Sequence, residues 1–388
     1  MRIAFITGAA AALVCIAGLF LFGPGQFFQA YLYSFLFWVG ISLGLLGLLM
    51  LHFVTSSRWG LTIRRIAEAG AGSIWVMAVL FLPVIIGLPY LFPWARPTEV
   101  AASEQLQYQT WYLNTPFFII RAVIYFAIWI LVAAVANRML ARLGSSPTGN
   151  PALRGRLQGL GAAGTILYGF SLFFASVDWL MSLQPSWIST AIGVITMIGQ
   201  VMSALGFAIV ILNLFPGLSL GQRWRYDMTP VPYRDLGALS LTLVMAWAYV
   251  SYFQMLIQWA GNIPREVVWY IARTNGGWSV VAWIIAILAF ILPFALLLTI
   301  RVRHNLRALG GVSIMLLVAN LVINFWQVKP AFSPNGFAIS LLDIAMPVAM
   351  GGIWVGVFLY TLSRRPALTV PDQATLNLTG AGEQAVSH

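Results

Sequence analysis

The sequence predicts an all-α integral membrane protein of about ten transmembrane helices, and three observations carry that expectation. Of 388 residues, 60% are hydrophobic and only 8% are charged, whereas soluble domains carry about 25% charged residues. Apolar runs of spanning length recur at about 4–22, 28–53, 67–92, 115–139, 159–183, 188–214, 236–259, 278–300, 307–327 and 337–362. The formal net charge of +11 sits almost wholly in the connections between those runs, which is a topology signal rather than a polyanion-binding surface. Lipid is therefore the expected surrounding and nucleic acid is not an expected partner.

The layout reads as one ten-helix domain over residues 1–365. Runs two to five form a first four-helix bundle (28–183) and runs six to nine a second (188–327), with the first and tenth runs flanking them. Each set begins with a helix running outside to inside, as a parallel duplication would. Residues 366–388 are polar without apolar period and are expected to be a disordered tail. Arginines collect in the loops near 58–65, 138–156, 223–234, 301–307 and 364–365, while the opposite loops hold only Arg96, Arg265, Arg273 and Lys329. That bias puts both termini in the cytoplasm of a bacterial inner membrane.

The first run contains Cys15, the sole cysteine. Val14 stands where a lipobox needs a small residue, so the run reads as a retained helix. One cysteine excludes internal disulfides and cysteine-based metal clusters. His52 ends the second run and Glu68 begins the third, facing each other across a short loop; the small residues around Glu68 permit close helix approach.

The outer connection 93–114 is amphipathic and too long for a plain turn; 261–277 is similar. Both read as docking surfaces or short interfacial helices, through residues such as Val100, Leu106, Val267 and Ile271, or else as segments that pack on each other. Arg121 lies about six residues inside the fourth run, Asp178 about five inside the fifth and Asp343 about six inside the tenth, so all three share one layer roughly 8–9 Å deep. Asp178 precedes a four-residue turn, Gln184–Trp187, with Trp179 and Trp187 placed for an aromatic belt. Buried ionisable groups in a membrane mark a partner or a proton path. The three form either a cluster with one shared proton or a salt bridge that fixes packing.

Uncharged polar stripes follow on runs six, seven and nine: Thr196, Gln200 and Ser203; Ser251, Gln254 and Gln258; Ser313, Asn320, Asn324 and Gln327. They read as interhelical glue or as a hydrated proton path. No P-loop, dinucleotide fingerprint, HExxH, CxxC or CxxCH occurs. No catalytic residue, metal site or cofactor held by this chain itself is expected, and its chemistry would be shared with partners.

Several stretches carry a family resemblance: Tyr90–Ala95 (YLFPWA), Tyr112–Phe118 (YLNTPFF), Arg121, Tyr125-Phe126, Trp129, Asp178–Pro185 (DWLMSLQP) and Asn262-Ile263-Pro264. Over about 28–362 the sequence resembles the NrfD-like (polysulfide-reductase membrane-subunit) family, and more narrowly the second NrfD-like subunit of alternative complex III. The resemblance implies a non-redox subunit of a quinol:cytochrome c oxidoreductase in respiratory electron transport. Its partners would be a sister NrfD-like membrane subunit, a periplasmic iron–sulfur subunit, c-type cytochrome subunits and a terminal oxidase. Haem c and iron–sulfur clusters would sit on those partners, with quinol at the level of the complex. In quinol-active relatives an acid and a histidine serve the outer half of the first bundle; Asp178 matches the acid, but this sequence has no histidine there. Two alternatives stand: a self-sufficient secondary transporter, against which the expected absence of broken helices speaks, and a purely structural membrane anchor of a polysulfide-reductase-like complex.

Overall fold

A computed structural model of the chain describes residues 1–144, 151–215, 231–334 and 336–364. The tail expected at 366–388 lies outside them. Among the described residues every regular element is helical, and nine helices are long and apolar enough to cross a membrane. The first, Arg2–Thr55, is two helices joined at a kink. Gly23 there takes φ 80° and ψ 165°, a backbone region open essentially to glycine. Pro24 then starts the next helix with its φ already set and no N–H to satisfy.

The spans are thus α1 (2–22), α2 (24–55), α3 (Arg58–Ile86), α4 (Thr115–Gly144), α5 (Pro151–Trp179), α6 (Ile192–Leu214), α7 (Val231–Gly261), α8 (Trp278–Leu298), α9 (Leu306–Val328) and α10 (Leu341–Ser363). α2, α3, α4 and α5 pack in a ring, and α6, α7, α8 and α9 in a second. α2 and α6 lie side by side between the two rings.

α10 is inserted between α1 and α2. Gly8 and Gly18 of α1 meet Gly352 and Leu342, an antiparallel register. Tyr33 and Trp38 of α2 meet Asp343 and Pro347, a parallel one. α1 and α2 are therefore an antiparallel hairpin closed on α10, and the two ends of the described chain lie on one face, called inner below. Pro347 has no N–H for the carbonyl of Asp343 four residues back, and the Tyr33 hydroxyl donates to that carbonyl instead. The Trp38 indole donates to the Pro347 carbonyl at 2.8 Å.

Two spans are less regular than the apolar runs imply. α3 is interrupted after Gly72 and Val79, and the Leu80 carbonyl is met by the Tyr31 hydroxyl at 2.7 Å. α8 contains a π-helical turn, Ala286–Ile291, just before Pro293. The expectation of unbroken helices is therefore corrected: Pro83 and Pro293 each remove a backbone donor within a span.

The connection after Asp178 also differs from a four-residue turn. α5 ends at Trp179, a 3-10 turn covers Met181–Leu183, and α6 begins only at Ile192. The intervening residues form a cap that the outer segments grip from both sides. Gln105 and Gln109 of the helix Glu104–Gln109 donate to the Pro185 carbonyl at 2.8 and 3.2 Å. Arg273 of the helix Pro264–Thr274 donates to Gln184 Oε1 at 2.8 Å. Leu106 is buried against the core and Val100 is partly buried on it, so the expectation that they face outward is corrected. On the second segment Ile263, Val268 and Ile271 are exposed.

Candidate functional site

Asp178 lies in the last turn of α5 and is completely buried. The C-terminal end of a helix dipole disfavours a carboxylate, so its charge needs another partner. Arg121, in the second turn of α4, supplies a two-pronged one: Nε donates to Oδ2 at 2.8 Å and an Nη to Oδ1 at 2.9 Å. The Tyr125 hydroxyl, one turn further along α4, donates to Oδ2 at 2.9 Å. The other Nη of Arg121 donates to the Tyr112 carbonyl at 2.9 Å, and the guanidinium lies 3.8 Å from the centre of the Tyr112 ring. Burial, with the Asp178 charge added, pushes the Tyr112 phenol up to about 12. A fork-to-fork pair with this many donors is the geometry that offsets the desolvation of a buried ion pair.

Asp343 does not join them. α10 starts at Leu341, so Asp343 stands in its first turn as the third residue of a capping box, accepting from the Ser340 backbone N–H at 2.8 Å and hydroxyl at 2.9 Å. Its other oxygen lies 3.0 Å from Lys329 Nζ, and both side chains are buried. The expected three-residue cluster is corrected: Arg121 pairs with Asp178 and Lys329 with Asp343, so two separate ion pairs stand where one cluster was expected.

Around Asp178 the bundle is filled with rings. Trp179 packs against Phe35, Phe81, Phe126 and Trp129 with centroids 5.0–5.9 Å apart. Trp129 donates to the Ser171 hydroxyl at 2.8 Å. Trp179 therefore belongs to the core rather than to an aromatic belt. Trp187 is also buried, stacked 4.2 Å from Trp269 and bonded to Gln258 Oε1 at 2.9 Å.

On the inner side Glu68 accepts from Arg64 Nε at 2.7 Å on its own helix. His52 packs on Gly60 and near Trp59, and its Nδ1 has no hydrogen-bond partner. The reading of His52 and Glu68 as a facing pair thus gives way to an i,i+4 ion pair on α3 beside a buried imidazole.

The polar stripes of α6 and α9 meet beside α2 and Trp247 of α7. Asn320 donates to the Gly199 carbonyl at 3.1 Å, and Asn324 to Asn320 Oδ1 at 2.9 Å. With Thr196, Gln200, Trp247 and Gln327 they line a cavity of about 20 Å³, room for about one water molecule. Thr196 Oγ1 is closed to solvent and has no partner. Gln258 belongs to the Trp187 cap, and Gln254 is half-buried one turn below it.

Two cations that sequence reasoning left in loops prove to be buried, Lys329 and Arg273. Arg273 is 1% exposed. It donates to Gln184 Oε1, to the Trp269 carbonyl at 2.9 Å and to the Gln327 carbonyl at 2.6 Å, with its guanidinium 3.7 Å from the centre of the Trp269 ring. No carboxylate lies within ion-pair distance of it among the described residues, and burial holds its pKa well below the usual arginine range. The signal was present: Trp269, Ala272 and Arg273 share one face of an amphipathic helix. Among the described residues no three His, Cys, Asp or Glu side chains group as metal ligands.

Comparison of the sequence with protein-family models and with curated proteins returned no match.

Proposed function

We propose that this chain is a non-redox membrane subunit of a quinol:cytochrome c oxidoreductase of the alternative complex III type, working in a bacterial inner membrane. One observation carries the reading: several of the residues on which the NrfD-like resemblance rests come together as a unit. Arg121, Tyr125, Phe126, Trp129, Asp178 and Trp179 lie on two helices yet form a single contact cluster, with Tyr112 closing it from the outer loop.

The same cluster supports a non-redox role. The chain's own rings pack around Asp178 and both carboxylate oxygens are hydrogen-bonded, which favours quinol chemistry elsewhere in the complex. Neither described histidine, His52 or His304, lies in that half. Quinol chemistry, haem c and iron–sulfur clusters would belong to the sister membrane subunit, the cytochrome subunits and the periplasmic iron–sulfur subunit. The exposed stripe Ile263, Val268 and Ile271 on the outer face is the surface offered to such partners. The amide-lined cavity of the second bundle is where a proton path would hold its water.

The interruptions of α3 and α8 weigh little for a self-sufficient transporter. They do not occupy corresponding places in the two rings, as paired broken helices of a repeat would. Mild detergent extraction, followed by haem staining and mass spectrometry of what copurifies, tests the proposal. Recovery with c-haem and iron–sulfur subunits is expected. Isolation as a homo-oligomer free of them would overturn it in favour of a transporter.

A further inference from the structure

The inner corner between α7, α8 and α9 gathers more positive than negative charge among the described residues. After Leu298 the chain breaks at Thr299, forms the short helix Ile300–His304, breaks again at Asn305 and enters α9. Three arginines fall within this segment: Arg301, Arg303 and Arg307. Arg301 and Arg307 are exposed, and Arg303 is half-buried. The segment is held against α7, where a Cβ added at Gly237 would meet Arg303 Cγ at 2.8 Å and its Cα at 3.2 Å. Arg234 stands one helical turn before Gly237 and is paired, among the described residues, with its neighbour Asp235 at 3.6 Å. That carboxylate is the one acid of the corner among the described residues, against four guanidinium groups.

Other inner arginines are accounted for differently, as with Arg64, which is bonded to Glu68. Arg303 has no ion pair among the described residues. Its Nε is closed to solvent and has no hydrogen-bond partner. A bound phosphate would therefore be met by the outer end of this half-buried guanidinium and by the exposed Arg301 and Arg307. Immediately toward the membrane, Leu296, Leu298 and Ile300 are exposed, so apolar surface adjoins the charged corner.

We propose that Arg234, Arg301, Arg303 and Arg307 form a site for the headgroup phosphate of an anionic phospholipid, whose acyl chains lie along the exposed face of α8. Basic corners between transmembrane helices on the inner side suit such headgroups. The planar forks of several arginines suit phosphate oxygens better than point charges would. The two backbone breaks at Thr299 and Asn305 turn the short helix aside, so that its arginines reach headgroup level. The site does not depend on which complex the chain serves.

The test uses the full chain, purified in mild detergent and delipidated, with melting temperature and native mass spectrometry as readouts. Phosphatidylglycerol or cardiolipin should raise the melting temperature and appear as a retained adduct, and phosphatidylcholine should do neither. The triple variant Arg301→Gln, Arg303→Gln, Arg307→Gln should lose the adduct and weaken apparent affinity on the order of a hundredfold, from about tenfold or less per arginine. The matching Arg→Lys variant should retain part of the binding and guards against misfolding. Arg138→Gln, elsewhere on the inner face, should bind as the parent does. Equal retention of lipid by the glutamine triple and the parent overturns the site. Equal stabilisation by phosphatidylcholine overturns its selectivity. Stabilisation by inorganic phosphate alone, without an adduct of lipid, overturns the lipid as its source.

Discussion

Lys329 Nζ lies 3.0 Å from Asp343 Oδ1, and this pairing leaves Arg121 to Asp178 alone. Each couple is neutral, buried and joins two consecutive spans. Breaking a buried pair costs more than a surface contact because the remaining charge stays desolvated.

For the first couple, Arg121→Leu should destabilise the protein by about 3–5 kcal/mol, since it strands a carboxylate that has no exposure. Asp178→Asn should cost less: Arg121 retains the Tyr112 carbonyl and ring, and asparagine still accepts from Tyr125. Denaturation midpoints in one detergent compare the two. A larger loss for Asp178→Asn would contradict this order.

The separation into two couples makes its own prediction. Arg121→Leu and Lys329→Met share no partner, so their effects should add to within about 0.5 kcal/mol. A coupling well above that, measured by a double-mutant cycle, would restore the idea of a single charged cluster.

Tyr33→Phe should cost about 1–3 kcal/mol, because the Asp343 carbonyl beside Pro347 is then left without a donor. In a Pro347→Ala background the helix regains its own N–H for that carbonyl, and the cost of Tyr33→Phe should fall below about 1 kcal/mol. An unchanged cost in that background would show that the hydroxyl does something else.

Gly352→Val should separate α1 from α10. A Cβ at Gly8 would already meet Gly352 Cα at 2.8 Å, so added bulk on either side has no room. Cys15 is 3% exposed and should become markedly faster to label with a maleimide in the variant. Unaltered labelling would mean that α1 is held by something other than this crossing.

Most of the fold was legible because a bilayer demands long apolar runs, and runs of that length are visible one at a time. Gly23-Pro24 could be placed as a break between two of them. Depth was less legible. Counting inward from the edge of an apolar run put Asp343 about six residues deep, yet Ser340 caps the helix and moves its start. The same error hid Lys329, whose side chain is buried although the apolar run has ended. The meeting of Arg121 with Asp178 follows from α4 lying beside α5, whereas the pairing of Asp343 follows from how the α9–α10 connection folds, which no helical period encodes. Arg273 was missed because a buried cation without an acid has no signature in a charge count.

The hairpin closed on α10 has a consequence for how the protein is made. α1 is synthesised well before α10, and its small-residue face at Gly8 and Gly18 is complementary to that later span. At about 5–20 residues per second, the gap between 22 and 341 in the chain is on the order of tens of seconds of synthesis. Throughout that interval α1 sits in lipid with its docking groove empty. A chain truncated before α10 would leave that groove unfilled, so α1 reaches its packed state only once α10 has been inserted beside it.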